Sequence, residues 1–78
     1  MTDINKLDLR GVACPLNFVK TKLFLDKLPV GAVLEVILDD GEPAESVYSS
    51  IVAEGHSVEA PSPFGEGCFA LIICKRDP

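Results

Sequence analysis

Apolar and polar residues follow two different periods along this chain, and each change of period marks the boundary of an element. Leu7 and Leu9 alternate with Asp8 and Arg10, which predicts a short strand with one buried face. Gly11 ends this strand.

The next segment changes to a helical period. Pro15 suits the first position of a helix, where its missing N–H leaves no bond unmade. Pro29 and Gly31 end the segment. The apolar positions that predict the helix are Leu16, Val19, Leu23, Phe24 and Leu28.

The second half of the chain repeats this succession. Residues 32–38 form a nearly continuous apolar run that predicts a strand buried on both faces. A second helix is predicted to begin at Pro43 and to end at Gly55. Residues 56–60 are then predicted as a strand, 61–67 as a loop and 68–74 as a strongly apolar last strand. The apolar positions of the second helix are Ala44, Val47, Tyr48, Ile51 and Val52.

The order strand, helix, strand, helix, strand, strand predicts an α/β fold. Because strand–helix–strand crossovers are right-handed, both helices are expected on one face of the sheet. We therefore expect a two-layer sandwich with a mixed four-stranded sheet, and one domain over residues 1–78. Apolar residues at 47% and charged residues at 24% are typical of globular domains.

Composition and charge exclude several classes of function. Seven basic residues against 12 acidic ones give a net charge of −5, the opposite of the basic surface that direct nucleic-acid binding requires. The longest apolar run, 68–74, is too short to span a membrane. Residues 1–8 lack the apolar core of a signal peptide, so we expect a cytoplasmic protein. Three cysteines without Cys-x-x-Cys spacing predict neither a disulfide scaffold nor a metal site, and no cofactor is expected.

Cys14 is the strongest candidate for chemistry. If Pro15 is the first helical residue, Cys14 is the N-cap, where a thiolate accepts backbone hydrogen bonds at the positive end of the helix dipole. Such placement lowers a cysteine pKa, and Arg10 supplies a cation in the same loop. The alternative is a small buried residue that happens to precede a proline. The loop position favours a reactive thiol.

The stretch Asp8-x-Arg10-Gly11-x-x-Cys14-Pro15 resembles the signature of the TusA-like (SirA) sulfur-carrier family. The resemblance extends over nearly the whole chain and implies the same two-layer sandwich. It implies that Cys14 carries sulfur as a persulfide, while Arg10 and Gly11 shape the loop. It also implies protein partners: a sulfur donor, such as a cysteine desulfurase or a rhodanese-like enzyme, and an acceptor in tRNA thiolation, cofactor biosynthesis or sulfur oxidation.

One residue departs from the family pattern. Asn17 stands where the family has a second proline, so Pro15 and Asn17 together would shape the helix start. Unlike proline, Asn17 has a backbone N–H. Our hypothesis is that this N–H gives Cys14 an additional hydrogen bond.

Other reactive side chains have simpler interpretations. Asp39, Asp40 and Glu42 are expected to favour the second helix through its dipole, but they approach Cys14 if the first two strands are parallel neighbours. Cys68 and Cys74 are expected to fill an apolar strand about 20 Å apart, too far to bridge. His56, at the other end of the second helix from the motif, is expected to be structural. These residues are assigned no catalytic role.

Two further functions fit the same residues. The first is a non-catalytic protein-interaction module, in which Cys14 only caps the helix and the open face of the sheet binds a regulator. Alternatively, Cys14 is the reactive group of a thiol redox sensor. We expect a small sulfurtransferase or sulfur carrier, and uptake of sulfane sulfur by Cys14 separates it from both.

Overall fold

The computed structural model of the chain describes residues 5–13 and 15–76, so the predictions made for Cys14 lie outside the described residues. The described part contains five strands and two helices. They are β1 (Asn5–Asp8), α1 (Leu16–Asp26), β2 (Val33–Asp39), α2 (Glu42–Ala53), β3 (Ser57–Val58), β4 (Ser62–Pro63) and β5 (Cys68–Cys74).

The strands form one mixed sheet in the order β1-β2-β5-β3. β4 pairs with the side of β5 that also binds β3, but nearer the start of β5. β1 and β2 are parallel neighbours, whereas β5 runs antiparallel to β2. The predicted mixed sheet is confirmed, but it has five strands rather than four. The additional strand, Ser62–Pro63, lies within the predicted loop 61–67, and because both of its residues are exposed, no apolar alternation marks it in the sequence.

The boundaries of the predicted elements differ most at short or exposed ends. β5 occupies residues 68–74 as predicted, because its apolar residues form an unbroken run. β3 is reduced to Ser57–Val58. α1 begins at Leu16, one residue later than predicted, so its N-cap is Pro15, with φ −95° and ψ 7°, and the prediction of Cys14 as the N-cap is wrong. α2 begins at Glu42, one residue earlier than predicted.

The core lies between the sheet and both helices. Leu34, Val36 and Leu38 of β2 pair with Ile73, Leu71 and Phe69 of β5. These alternate residues lie in the core or pack against it. Leu25 of α1 and Val47 and Ile51 of α2 complete this core. The predicted two-layer arrangement with both helices on one face is therefore confirmed. Neither of the helices described is long and apolar enough to cross a membrane.

Helix α1 has an unusual distribution of polarity. Its buried residues are Asn17, Thr21 and Leu25, two of which are polar. The apolar residues that predict the helix include Leu16 and Leu23, whose exposed fractions are 56% and 57%. Val19 is also exposed. The apolar spacing therefore predicts the helix correctly, although much of it does not face the core.

Candidate functional site

Asp8, the last residue of β1, holds Arg10 in the loop that follows. Both carboxylate oxygens of Asp8 accept hydrogen bonds from Arg10. The Arg10 backbone N–H and Nε donate to Oδ1 at 3.1 and 2.9 Å, and Arg10 Nη2 donates to Oδ2 at 2.6 Å. The Arg10 side-chain bond, followed by its backbone bond, lowers the pKa of Asp8, and the Asp8 carboxylate raises the pKa of Arg10. Arg10 therefore remains a permanent cation beside the loop.

Gly11 makes the turn that leads to Cys14. The Val12 N–H donates to the Leu9 carbonyl at 3.1 Å, which closes a four-residue turn with Gly11 in its third position. The φ of Gly11 is +79°, a value that favours glycine and that a type II turn requires at this position. The Gly11 N–H also donates to Oδ2 of Asp39 at 2.7 Å. The loop is thus tied to the carboxyl end of β2.

The first turn of α1 begins two residues after Cys14. Ala13 and Pro15, which flank the cysteine, are both exposed. The Asn17 N–H donates to the Ala13 carbonyl at 3.2 Å, and the Val19 N–H to the Pro15 carbonyl at 3.1 Å. Since the Asn17 N–H already has an acceptor, an additional bond to Cys14 would have to be shared with the Ala13 carbonyl. The sequence hypothesis did not include this bond.

The side chain of Asn17 is fully buried. Its Oδ1 accepts a hydrogen bond from the Phe18 N–H at 2.7 Å, while its Nδ2 has no partner among the described residues. Thr21, one turn further along, is buried too, but its hydroxyl donates to the Asn17 carbonyl at 2.8 Å. The structure therefore places Asn17 against the core, where sequence reasoning considered only its backbone.

The three acidic residues after β2 have different environments. Asp39 holds Gly11, as described above. Asp40 follows it and lines a cleft of about 340 Å³ between the start of α2 and the β4–β5 side of the sheet. Glu42 lies in the first turn of α2, where a carboxylate is favoured by the helix dipole. The cleft is otherwise lined by Gly41, Ala44, Glu45, Tyr48, Pro61 and Phe69.

Cys68 lies at the same edge of the sheet as the loop. As the first residue of β5 it pairs with Asp39, the last residue of β2. Cys68 Sγ donates a hydrogen bond to the Glu66 carbonyl at 3.5 Å. After the larger effect of Asp8, Cys68 also contributes to the raised pKa of Arg10. The sequence interpretation of Cys68 as a strand filler missed this location, because it depends on the pairing of β5 with β2.

The remaining candidates lie at the opposite edge. Cys74, the last residue of β5, pairs with Val33 and with Ser57. His56 precedes Ser57, and its Nδ1 accepts a hydrogen bond from the Arg76 N–H at 3.1 Å. The predicted separation of His56 from the motif is confirmed, so the structure brings Arg10, Gly11, Asp39 and Cys68 together and leaves His56 and Cys74 apart.

Comparison with known proteins identifies the family. The sequence profile described as "Sulfurtransferase TusA" matches residues 5–75, nearly the whole chain. The chain belongs to the TusA family. Membership indicates sulfur transfer as the class of function, which involves proteins that supply sulfur and proteins that receive it.

Two known proteins are similar to this chain over two thirds or more of its length. A protein of Archaeoglobus fulgidus is 37% identical over 70 residues, which cover 90% of this chain and 80% of the relative. A protein of Thermotoga maritima is 36% identical over 52 residues, which cover 67% of this chain and 66% of the relative. Both carry the name "Putative sulfur carrier protein".

The fold is found in a solved structure as well. A SirA-like protein from Desulfitobacterium hafniense superposes with a TM-score of 0.81 over 96% of this chain and 100% of its own. The identity is 21%, so this likeness concerns the fold. It agrees with the two-layer arrangement described above.

Proposed function

We propose that this TusA-family protein is a sulfur carrier that holds sulfane sulfur as a persulfide on Cys14 and delivers it to a partner protein. The observation that carries the proposal is the fixed loop before Cys14. Asp8, Arg10, Gly11 and Asp39 hold that loop at the end of the sheet. The residues on either side of Cys14 are exposed, as transfer between two proteins requires.

The proposed reaction consists of two balanced sulfur transfers. In the first, the Cys14 thiolate attacks the outer sulfur of a donor persulfide. A new S–S bond forms on Cys14, and the old S–S bond breaks with its electron pair going to the donor thiolate. In the second, an acceptor thiolate attacks the outer sulfur on Cys14 in the same way. Neither transfer changes the overall oxidation state, so no further oxidant or reductant is needed.

Partner proteins complete the proposal. A cysteine desulfurase or a rhodanese-like enzyme supplies the sulfur, since both form persulfides on their own cysteines. The exposed Leu16 and Val19 lie just after Cys14 and offer apolar surface to a protein that approaches the sulfur. A cytoplasmic location belongs to the same proposal, because reducing compartments keep thiols free.

Sulfur uptake by Cys14 is the decisive test. We expect that incubation with inorganic polysulfide adds about 32 Da, one sulfur atom, to the peptide that contains Cys14, and that a reductant removes it. Cys14→Ser should lose this adduct, whereas Cys74→Ser should retain it. The measurement is mass spectrometry of alkylated tryptic peptides, in which Cys14 falls in the peptide 11–20.

Two results would contradict the carrier function. A sulfenic acid on Cys14 under peroxide, without uptake of sulfane sulfur, would identify a redox sensor. Retention of every partner interaction and cellular phenotype by Cys14→Ser would identify an interaction module. In the carrier, the loaded wild-type protein should also transfer its sulfur to a small acceptor thiol, with loss of the adduct.

A further inference from the structure

The cleft beside the start of α2 lies at the same end of the sheet as the loop that leads to Cys14. The Asp39 carboxylate holds the Gly11 N–H at 2.7 Å, and Asp40, the next residue, lines the cleft. The Asp40 N–H donates to the Gly67 carbonyl at 3.0 Å, which fixes the backbone at this corner. A protein that docks on the loop therefore also reaches the cleft.

The inner lining of the cleft is apolar and aromatic. Ala44 is buried, while Tyr48, Pro61 and Phe69 are half-buried. Tyr48 and Phe69 also pack against the hydrophobic core, which supports both rings from below. The volume of about 340 Å³ lies at the lower end of the range for ligand pockets, about 300–1,000 Å³. The cleft therefore has room for one long side chain rather than for a folded segment.

Two carboxylates line the cleft without a compensating cation. Asp40 and Glu45 are exposed, and neither forms an ion pair with another residue of the part of the chain that the structure describes. The net charge of −5 adds a field of the same sign. A cation is therefore the charge that this cleft favours. The ion pairs among the described residues are Lys6–Glu35, Arg10–Asp8 and Lys22–Glu54.

The dipole of α2 explains only part of this arrangement. Glu42 and Glu45 both lie in the first turn of the helix, where a carboxylate is favoured by the dipole. Glu45 lines the cleft, whereas Glu42 does not. The dipole therefore accounts for carboxylates in this turn, but not for a cleft that combines Asp40 and Glu45 with two aromatic rings. Glu42 provides a matched control for Glu45.

An arginine side chain has the properties that this cleft selects. Its aliphatic stem covers apolar surface while its charged end stays at a polar rim. Its planar guanidinium stacks on aromatic rings and pairs with carboxylates through several N–H groups. An acidic side chain would be repelled by Asp40 and Glu45, and an apolar one would leave both carboxylates without a partner. Arginine is also enriched at protein–protein interfaces.

We propose that the cleft receives an arginine side chain from the surface of the protein that exchanges sulfur with Cys14. This inference rests on the proposed function and names the chemistry by which that protein is recognised. The bound arginine holds the partner near the loop, because the loop and the cleft meet at Asp39 and Asp40. No covalent bond forms or breaks in the cleft, so its contribution is to docking alone.

Binding is measured first, with N-acetylarginine methylamide as the probe and the citrulline compound, its uncharged isostere, as the control. Two-dimensional nuclear magnetic resonance of the isotope-labelled chain follows the backbone amides. We expect the amides of Ala44, Glu45 and Phe69 to shift with arginine, and the affinity for citrulline to be several-fold weaker. Asp40→Asn and Glu45→Gln should weaken arginine binding several-fold, whereas Glu42→Gln should leave it nearly unchanged.

Sulfur transfer then shows whether the cleft serves a partner. Protein loaded with inorganic polysulfide is mixed with a synthetic peptide in which a glycine spacer joins an arginine to a cysteine, or with the citrulline version. We expect several-fold faster transfer to the arginine peptide, with an advantage that salt reduces. Glu45→Gln should lose this advantage and Glu42→Gln should keep it. Loading of Cys14, which involves no peptide, should be equal in the wild type and both variants, and circular dichroism should show the same fold.

Other results would overturn the inference. Equal shifts with arginine and citrulline would show a site for apolar groups, and equal losses in Glu42→Gln and Glu45→Gln would show a long-range effect of charge. Arginine binding without any advantage in transfer would show a site for a free small molecule. Shifts of the same amides when the chain alone is concentrated would place a second copy in the cleft.

The loading step keeps this inference separate from the proposed function. Normal loading of Cys14 by polysulfide with no binding of the arginine probe would refute the docking cleft and leave the sulfur carrier intact. Failure of Cys14 to take up sulfur in the wild type would instead refute the proposed function, whatever the probe binds.

Discussion

At the scale of single residues, the candidate site depends on a few polar contacts with separate tasks. Asp8 fixes Arg10, and Asp39 fixes Gly11. The motif spacing predicts a loop shaped by Arg10 and Gly11 because both residues belong to one short segment. Asp39 was only conditionally expected near the loop, since its contact with Gly11 joins segments 28 positions apart.

The Asp8–Arg10 pair predicts a pH dependence. The Arg10 hydrogen bonds lower the pKa of Asp8 below its ordinary value of 3.8. The folded state is therefore favoured by this pair above pH 3.8, and the contribution is lost as the pH falls through the lower folded pKa. We expect Arg10→Gln to raise the pKa of Asp8 toward 3.8, as measured by the carbon chemical shift of its carboxyl group.

A second exposed pair supplies the control for this titration. Lys22 of α1 binds Glu54 at the end of α2, which lowers the pKa of Glu54. Lys22→Gln should raise the pKa of Glu54 and leave that of Asp8 unchanged. If Asp8 titrates at the same pH in the wild type and in Arg10→Gln, the bonds to Arg10 do not persist in solution.

At the scale of elements, α1 shows how a correct helix prediction leaves the helix orientation open. Spacing by three and four residues predicts a helix whatever it packs against. The face toward the core contains Asn17 and Thr21, while Leu16, Val19 and Leu23 are exposed. The orientation depends on the connections at both ends of the helix, which local periodicity does not report.

Two leucines of α1 test this orientation. Leu25 is 1% exposed and Leu23 is 57% exposed. Leu25→Ala should lower the free energy of unfolding by about 2–5 kcal/mol, because it removes buried methyl groups and leaves a cavity. Leu23→Ala should change it by less than about 0.5 kcal/mol, as is usual at an exposed position. Urea denaturation measures both, and comparable losses in the two variants would contradict the orientation.

At the scale of the whole molecule, stability is concentrated in the centre of the sheet. β2 pairs with β1 on one side and with β5 on the other, so both sets of its backbone groups have partners. β4 has two exposed residues and pairs only with β5. The candidate site lies at one end of this rigid centre, which holds its loop through Asp39.

This arrangement predicts a pattern of hydrogen exchange. Amides of residues 34–37 in β2 should exchange slowly, because this segment pairs with β1 on one side and with β5 on the other. In the edge strand β1, alternate amides face β2. The Leu9 N–H donates to the Ile37 carbonyl at 2.8 Å, so the Leu7 amide, two residues earlier, should also be protected. The Lys6 amide lies on the other side of the strand and should exchange fast. Nuclear magnetic resonance in deuterated water measures these rates. Equal protection of Lys6 and Leu7 would contradict the parallel pairing of β1 with β2.

The sequence by itself determined the order of the main elements, the bounds of β5 and the motif around Cys14. These features are local: side-chain period, proline and glycine positions, and residue spacing are set within short segments. The two-layer fold followed because crossover handedness leaves few arrangements for that order of elements.

Only the tertiary structure decided which distant residues meet. The pairing of β2 with β5 brings Cys68 beside Asp39 and Arg10 and sends Cys74 to the opposite edge. It also adds β4, whose two exposed residues have no period of their own. Strand register and helix orientation depend on the packing of the whole core, and no single segment of the chain determines that packing.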